Sequence, residues 1–157
     1  MPIAFQQAGD LTSSKSIISA YKILIVMVSI YIVGAVVLIT LCAMLHRHLV
    51  LIISNINFAQ FSYLLPGLAI AWALFYFGQV LTSFGLLANK SHRYIPPKVT
   101  AAIIACVGIF YLAPKAGPAG VVWGLIIANS LYSLWCFLIA FKYFKLARTG
   151  SITKLEQ

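Results

Sequence analysis

Residues 99–141 read VTAAIIACVGIFYLAPKAGPAGVVWGLIIANSLYSLWCFLIAF and carry a single charge, that of Lys115. Lys115 lies in a short run of proline and glycine that separates two apolar stretches. Gly117 followed by Pro118 favours a sharp turn. A helix needs about 20 apolar residues to cross a bilayer, with about 17 as the lower limit. The first stretch meets that limit if its helix begins at Pro96 or Pro97, where proline suits a first helical turn. The segment therefore predicts two membrane-spanning helices joined as a tight antiparallel hairpin.

The rest of the chain has the same apolar character. Its 157 residues are 62% hydrophobic and 8% charged, whereas about a quarter of the residues in a soluble domain are charged. Two further charge-free runs, at 23–45 and 61–87, are long enough to span a bilayer. Residues 1–22 lack the pattern of a cleaved signal peptide, so we expect no cleaved segment. The sequence predicts an all-α membrane protein, with a single transmembrane domain over residues 1–157 and spans at about 22–45, 64–88, 97–113 and 119–141.

The positions of the basic residues predict the orientation of these spans. If the N-terminus is cytoplasmic, only Arg47 and Lys115 of the 11 Lys and Arg residues lie outside. Cytoplasmic loops of membrane proteins carry such an excess of Lys and Arg. We therefore expect both termini in the cytoplasm. The net charge of +9 is interpreted as a topology signal with some attraction to anionic lipid, and not as a nucleic-acid surface.

Few residues of the sequence could take part in acid–base catalysis, ion coupling or metal binding. Asp10 and Glu156 are the only carboxylates, and both lie outside the predicted spans. Acid–base catalysis commonly uses carboxylates or histidines, and ion-coupled carriers usually place an ionisable group inside the membrane. The sequence therefore predicts a protein that is not an enzyme and has no catalytic residue. His46 and His48 flank Arg47 without a third ligand nearby, so we expect no metal site and no cofactor.

Four residues within the spans are candidates for a specific role. Gln79 and Asn129 are polar, and such side chains either bond neighbouring helices together or line a polar passage for a substrate. Gly120 and Gly124 are small residues spaced by four, a pattern that lets helices approach closely. The sequence predicts helix packing at the two glycines and makes Gln79 and Asn129 the best candidates for a substrate passage.

Several motifs resemble the C-terminal part of the Wzx-type polysaccharide flippases. These O-antigen translocases belong to the multidrug/oligosaccharidyl-lipid/polysaccharide exporter superfamily. The similar stretch is 84–137: a helix ends in the basic turn 88–93, and the next ends in a proline and a glycine turn, here Pro114 and Gly117, before an Ala/Gly-rich helix. Residues 60–66 look like the outer loop before the antepenultimate helix of those proteins. Residues 1–10 look like the cytoplasmic loop before the fourth helix from the end.

The resemblance implies a part of a larger transporter. Flippases of this family usually have about twelve or more helices in two lobes and carry a lipid-linked oligosaccharide across the inner membrane. This chain would supply only the last helices, and its partners would be the bilayer, the lipid-linked oligosaccharide, and either the missing N-terminal helices or further copies of itself. Charged residues of the family that handle the substrate have no match here. The alternative is a small accessory or scaffold membrane protein with no transport activity.

Overall fold

The computed structural model describes residues 14–53, 56–87 and 91–148, and all of them are helical. Helix α1 is Ser14–Ile53, α2 is Leu65–Leu87 and α3 is Ile95–Arg148. Short 3-10 helices at Ile56–Leu64 and Ser91–Tyr94 lead into α2 and α3. The expected all-α class is therefore confirmed for the described part of the chain.

Three segments are long and apolar enough to cross a membrane: Lys22–Ile52, Ala59–Gly85 and His92–Lys145. The chain is thus a membrane-embedded helical protein. The predicted span 22–45 lies within α1, which continues to Ile53 because residues 49–53 are apolar and contain no helix-breaking residue. The predicted span 64–88 matches α2 closely. The two predicted spans 97–113 and 119–141 both fall within α3.

Helix α3 reverses its direction at Gly117. This glycine has φ 57° and ψ −140°, a backbone conformation that residues with a Cβ atom rarely adopt. We call residues 95–116 the first arm and residues 118–148 the second arm. An ideal Cβ on Gly108 would lie 3.4 Å from the Cα of Gly124, although sixteen residues of straight helix would separate them by about 24 Å. The two arms therefore pack against each other in antiparallel fashion.

Helix α2 lies between α1 and the second arm of α3. The Tyr31 hydroxyl of α1 donates to the carbonyl oxygen of Ala73 at 2.6 Å, and His46 Nδ1 lies 3.0 Å from Ser62 Oγ, just before α2. Later residues of α1 thus meet earlier residues near α2, so the two helices are antiparallel. Across the other contact, Asn129 pairs with Ala71 and Ser133 with Leu74, so α2 and the second arm are parallel.

A buried cluster lies near the start of α1, near the ends of α2 and the second arm, and at the 3-10 helix before α3. The side chains of this cluster are mostly aromatic or aliphatic. Much of the exposed outer surface of the bundle is apolar as well. Phe110 is 85% exposed and Met44 is 77% exposed. In a bilayer this surface contacts hydrocarbon, which is as apolar as the core. The cluster consists of Leu24, Leu81, Phe84, Tyr94, Tyr132, Cys136, Ala140 and Tyr143.

Candidate functional site

The contact between α2 and the second arm is held by side chains that donate to backbone carbonyls. Asn129 Nδ2 donates to the carbonyl oxygen of Ala71 at 2.9 Å. Ser133 Oγ lies 2.6 Å from the carbonyl oxygen of Leu74 and 2.7 Å from that of Asn129, so its one proton is shared between the two helices. Each carbonyl keeps a second lone pair besides the one used within its own helix. This arrangement corresponds to the first of the two uses considered for Asn129, the bonding of helices to each other.

Gln79 lies at a different depth from Asn129. Its backbone carbonyl accepts a hydrogen bond from Thr82 Oγ1 at 2.7 Å, and its side chain is half-buried. Eight residues of α2 separate it from Ala71, the partner of Asn129, which amounts to about 12 Å along the helix axis. The structure therefore does not bring the two candidate passage residues together, and a passage lined by both stays a prediction.

The two predicted packing glycines lie where the arms of α3 meet. An ideal Cβ on Gly120 would overlap the carbonyl oxygen of Leu112, and one on Gly124 would lie 3.1 Å from the backbone nitrogen of Ile109. The neighbour of both glycines is thus the first arm of the same helix. At this point the backbones approach so closely that only glycine fits at position 120.

Three glycines of α2 have a similar role that the sequence analysis missed. An ideal Cβ on Gly78 would overlap the Tyr132 ring, and one on Gly85 would overlap the Tyr94 ring. An ideal Cβ on Gly67 would lie 2.6 Å from Cγ1 of Val122. Residues 67, 78 and 85 are spaced by 11 and 7 positions, which places them on one helix face. That spacing is the sequence signal for one face of α2, which lies against Val122, Tyr132 and Tyr94.

The histidines of α1 form no metal centre with their described neighbours. His46 is bonded to the buried Ser62, and His48 is exposed. Across residues 14–53, 56–87 and 91–148, no group of three or more His, Cys, Asp or Glu side chains could hold a metal ion. Cys42, Cys106 and Cys136 are free thiols.

An apolar groove of about 560 Å³ runs between α1 and α2. We call it the α1–α2 groove. Small residues on both helices leave the space open, and aromatic side chains border it. Its lining residues belong to the segments Lys22–Ile52 and Ala59–Gly85, both of which are long and apolar enough to cross a membrane. Its lining residues are Tyr31, Gly34, Ala35, Leu38, Leu65, Leu68, Ala69, Trp72, Ala73 and Tyr76.

Comparison of the chain with protein-family models, curated proteins and solved structures finds no match.

Replacing Asn129 with Leu is expected to lower the free energy of unfolding by about 0.6–2 kcal/mol, the range for hydrogen bonds between membrane helices. The matched control is Ser130→Ala, because Ser130 Oγ bonds within its own helix, to the carbonyl oxygen of Ile126 at 2.7 Å. Reversible unfolding in mixed micelles measures both. Equal losses for the two variants would show that the Asn129–Ala71 bond does not hold the helices together.

Proposed function

We propose that both arms of α3 cross the membrane, which gives four spans. A straight helix of 54 residues would be roughly 80 Å long, far more than a hydrocarbon core of about 30 Å. The reversal at Gly117 supports two crossings of ordinary length. With this alternation, Lys22, Arg93 and Lys145 lie at one end of the bundle, and Arg47 and Lys115 lie at the other. The excess of cations at the first end favours a cytoplasmic location for it and for both termini.

This topology predicts that position 115 is accessible from outside the cell and that Gln157 is inside. A Lys115→Cys variant in a background without the three native cysteines should react with a membrane-impermeant maleimide in intact cells. The control is Lys98→Cys, which should react only after the membrane is permeabilised. An alkaline phosphatase fusion at Gln157 should be inactive. If only the Lys98→Cys variant were labelled in intact cells, the orientation of the protein in the membrane would be the opposite of the proposed one.

We further propose that the chain is one part of a flippase for a lipid-linked oligosaccharide of a surface polysaccharide, in the cell inner membrane. The observation that carries this proposal is the α1–α2 groove, because an open apolar groove between two spans suits a hydrocarbon chain that must move with its headgroup. The resemblance of residues 84–137 to the C-terminal part of such flippases supports the same assignment.

The other half of the transport site would come from elsewhere. Transporters of this kind place their substrate between two repeats or lobes and move one against the other. The central parts of the three long helices contain no Asp, Glu, Lys or Arg except Lys115, at the turn between the arms. One bundle without an intramembrane charge forms one wall of a site for an anionic substrate. The second wall would come from further N-terminal helices or from another copy of the chain.

This proposal predicts that the chain alone does not restore surface polysaccharide in a flippase-null strain. Co-expression with the N-terminal helices of a matched flippase should restore it at least partly. Immunoblotting of membranes controls for insertion, and a matched full-length flippase is the positive control. Restoration by the chain alone would favour an oligomeric minimal transporter. Failure of the co-expressed pair, with both parts inserted, would favour the accessory or scaffold protein.

A further inference from the structure

Gly34 of α1 differs from the packed glycines of the described helices. An ideal Cβ on Gly78 or Gly85 would overlap a tyrosine ring, whereas one on Gly34 would meet no atom within 4 Å. Among the glycines that the structure describes, only Gly117, at the reversal of α3, is equally open. Gly34 lines the α1–α2 groove. The groove thus contains a glycine of the kind that receives aromatic rings elsewhere in this protein, and its position is unfilled.

Two aromatic side chains border the same groove and are largely exposed. Trp72 is 53% and Tyr76 is 54% exposed, and their ring centroids lie 5.9 Å apart. Tyr76 is the central residue of α2, Leu65–Leu87. Trp and Tyr of membrane proteins concentrate at the two interfaces, where water and headgroups can bond their N–H and O–H groups. Exposure of both rings near the middle of an apolar helix therefore indicates a face that is covered by something other than lipid hydrocarbon.

Neighbouring helices of this protein meet through side-chain donors and backbone carbonyls. Tyr31 of α1 donates to the carbonyl oxygen of Ala73 at 2.6 Å, and the contact between α2 and the second arm is built in the same way. The indole N–H of Trp72 and the hydroxyl of Tyr76 are donors of this kind, and a helix carbonyl can accept a second bond. At Gly34 no side chain covers the backbone. The partial charges of the exposed donors and of the open backbone are therefore complementary.

A second copy of the chain can bring these surfaces together if they lie at similar depth. In a two-fold dimer of copies with the same topology, the axis lies along the membrane normal and contacts are reciprocal. From the Tyr31–Ala73 bond, Gly34 lies about 4.5 Å and Trp72 about 1.5 Å along the helix axes. Both lie in the same direction, because α1 and α2 are antiparallel. The indole leans toward the start of α2, which brings it closer to the depth of Gly34.

We propose that two copies of the chain form a two-fold dimer through the α1–α2 groove, with Trp72 of each copy packed on Gly34 of the other. The two grooves then face each other. This inference names the partner of the groove on which the proposed flippase function also rests. The second copy adds no charged side chain to the groove lining, so transport of an anionic substrate by the chain alone is still not expected.

The test measures association of the full chain in phosphatidylcholine liposomes, by energy transfer between donor-labelled and acceptor-labelled copies. The labels are attached at Lys115→Cys in a background without the three native cysteines, because Lys115 is exposed and does not line the groove. Transfer should exceed that of randomly placed monomers and rise linearly with the acceptor fraction, as a dimer requires. Transfer at the random level would overturn the proposal and leave the groove to lipid or to another protein. A curved dependence would show larger assemblies and contradict a closed dimer.

Three single variants separate this contact from general effects on the helices. Gly34→Leu fills the open position, and Trp72→Ala removes a ring of the kind that often dominates an interface, so each should weaken association about tenfold. The matched control Val33→Leu changes a residue that is 65% exposed and does not line the groove, and it should leave association unchanged. Circular dichroism checks that each variant keeps its helices.

The double variant Gly34→Leu with Trp72→Ala should associate more tightly than either single variant, because the leucine occupies space that the indole has left. Unchanged association of Gly34→Leu, equal weakening by Val33→Leu, or additive losses in the double variant would each overturn the contact. The measurement needs no substrate, so its outcome is separate from complementation of the flippase-null strain. If the dimer fails, the proposed function stands with N-terminal helices as the second wall.

Discussion

Replacing Gly120 with Ala is expected to lower the free energy of unfolding by about 3 kcal/mol, the upper part of the range for overpacked sites. The added methyl group would overlap the carbonyl oxygen of Leu112 and crowd the backbone nitrogen of Ala113. Both atoms belong to the backbone of the first arm, so no side chain can rotate away to make room. The arms would have to separate near the turn, which would also weaken the contact between Gly124 and Gly108.

The matched control is Gly34→Ala in α1. An ideal Cβ on Gly34 meets no atom within 4 Å, and alanine is the better helix former by roughly 0.5–1 kcal/mol. This variant should be as stable as the parent protein or slightly more stable. Melting curves and unfolding in mixed micelles compare the two substitutions directly. If Gly120→Ala proves as stable as Gly34→Ala, the close contact between the arms does not exist in the folded protein.

Replacing Gly78 with Ala is expected to cost about 1–3 kcal/mol, because the new methyl group would overlap the Tyr132 ring. Tyr132 is 1% exposed, so its ring is enclosed and has little space into which to move. The substitution should push α2 away from the second arm and disturb the bonds at Ala71 and Leu74.

A double-mutant cycle identifies the cause. Tyr132→Leu alone should destabilise the protein, since it removes a large buried ring and leaves a cavity. In that background Gly78→Ala should cost much less than in the parent, because the methyl group then occupies space that the ring has left. Contacting residues show coupling energies of about 0.5–3 kcal/mol in such cycles. If the two substitutions change the free energy of unfolding additively, Gly78 does not contact the Tyr132 ring in the folded protein.

The helical class and the position of the turn could be predicted from the sequence, since both depend on local features. Long charge-free runs require helices in a bilayer, where every backbone polar group must be satisfied within the chain. Gly117 and Pro118 marked the reversal within α3, because only a few residue types suit a sharp turn. The proposed orientation likewise follows from the positions of a few cations.

Which face of each helix is buried could not be predicted from the sequence in the same way. In a soluble protein the apolar stripe of a helix marks its buried side, whereas Phe110 and Tyr132 are both aromatic and one is exposed while the other is buried. Lipid hydrocarbon is as apolar as the core, so hydropathy does not distinguish the two environments. Hydropathy is therefore consistent with both uses of Asn129 and does not reveal the packing of Gly78 and Gly85 against aromatic rings.

The sequence by itself determined that this protein is helical and membrane-embedded, and it placed a tight turn at Gly117. Only the tertiary structure decided that α2 lies between α1 and the second arm, that Asn129 bonds to Ala71, and where the α1–α2 groove lies. Hydropathy and turn formation act over a few residues and can be read along the chain. Packing between helices in lipid depends on the shapes of side chains far apart in sequence. The Tyr132 ring, for example, packs against Gly78, which lies 54 residues earlier in the chain.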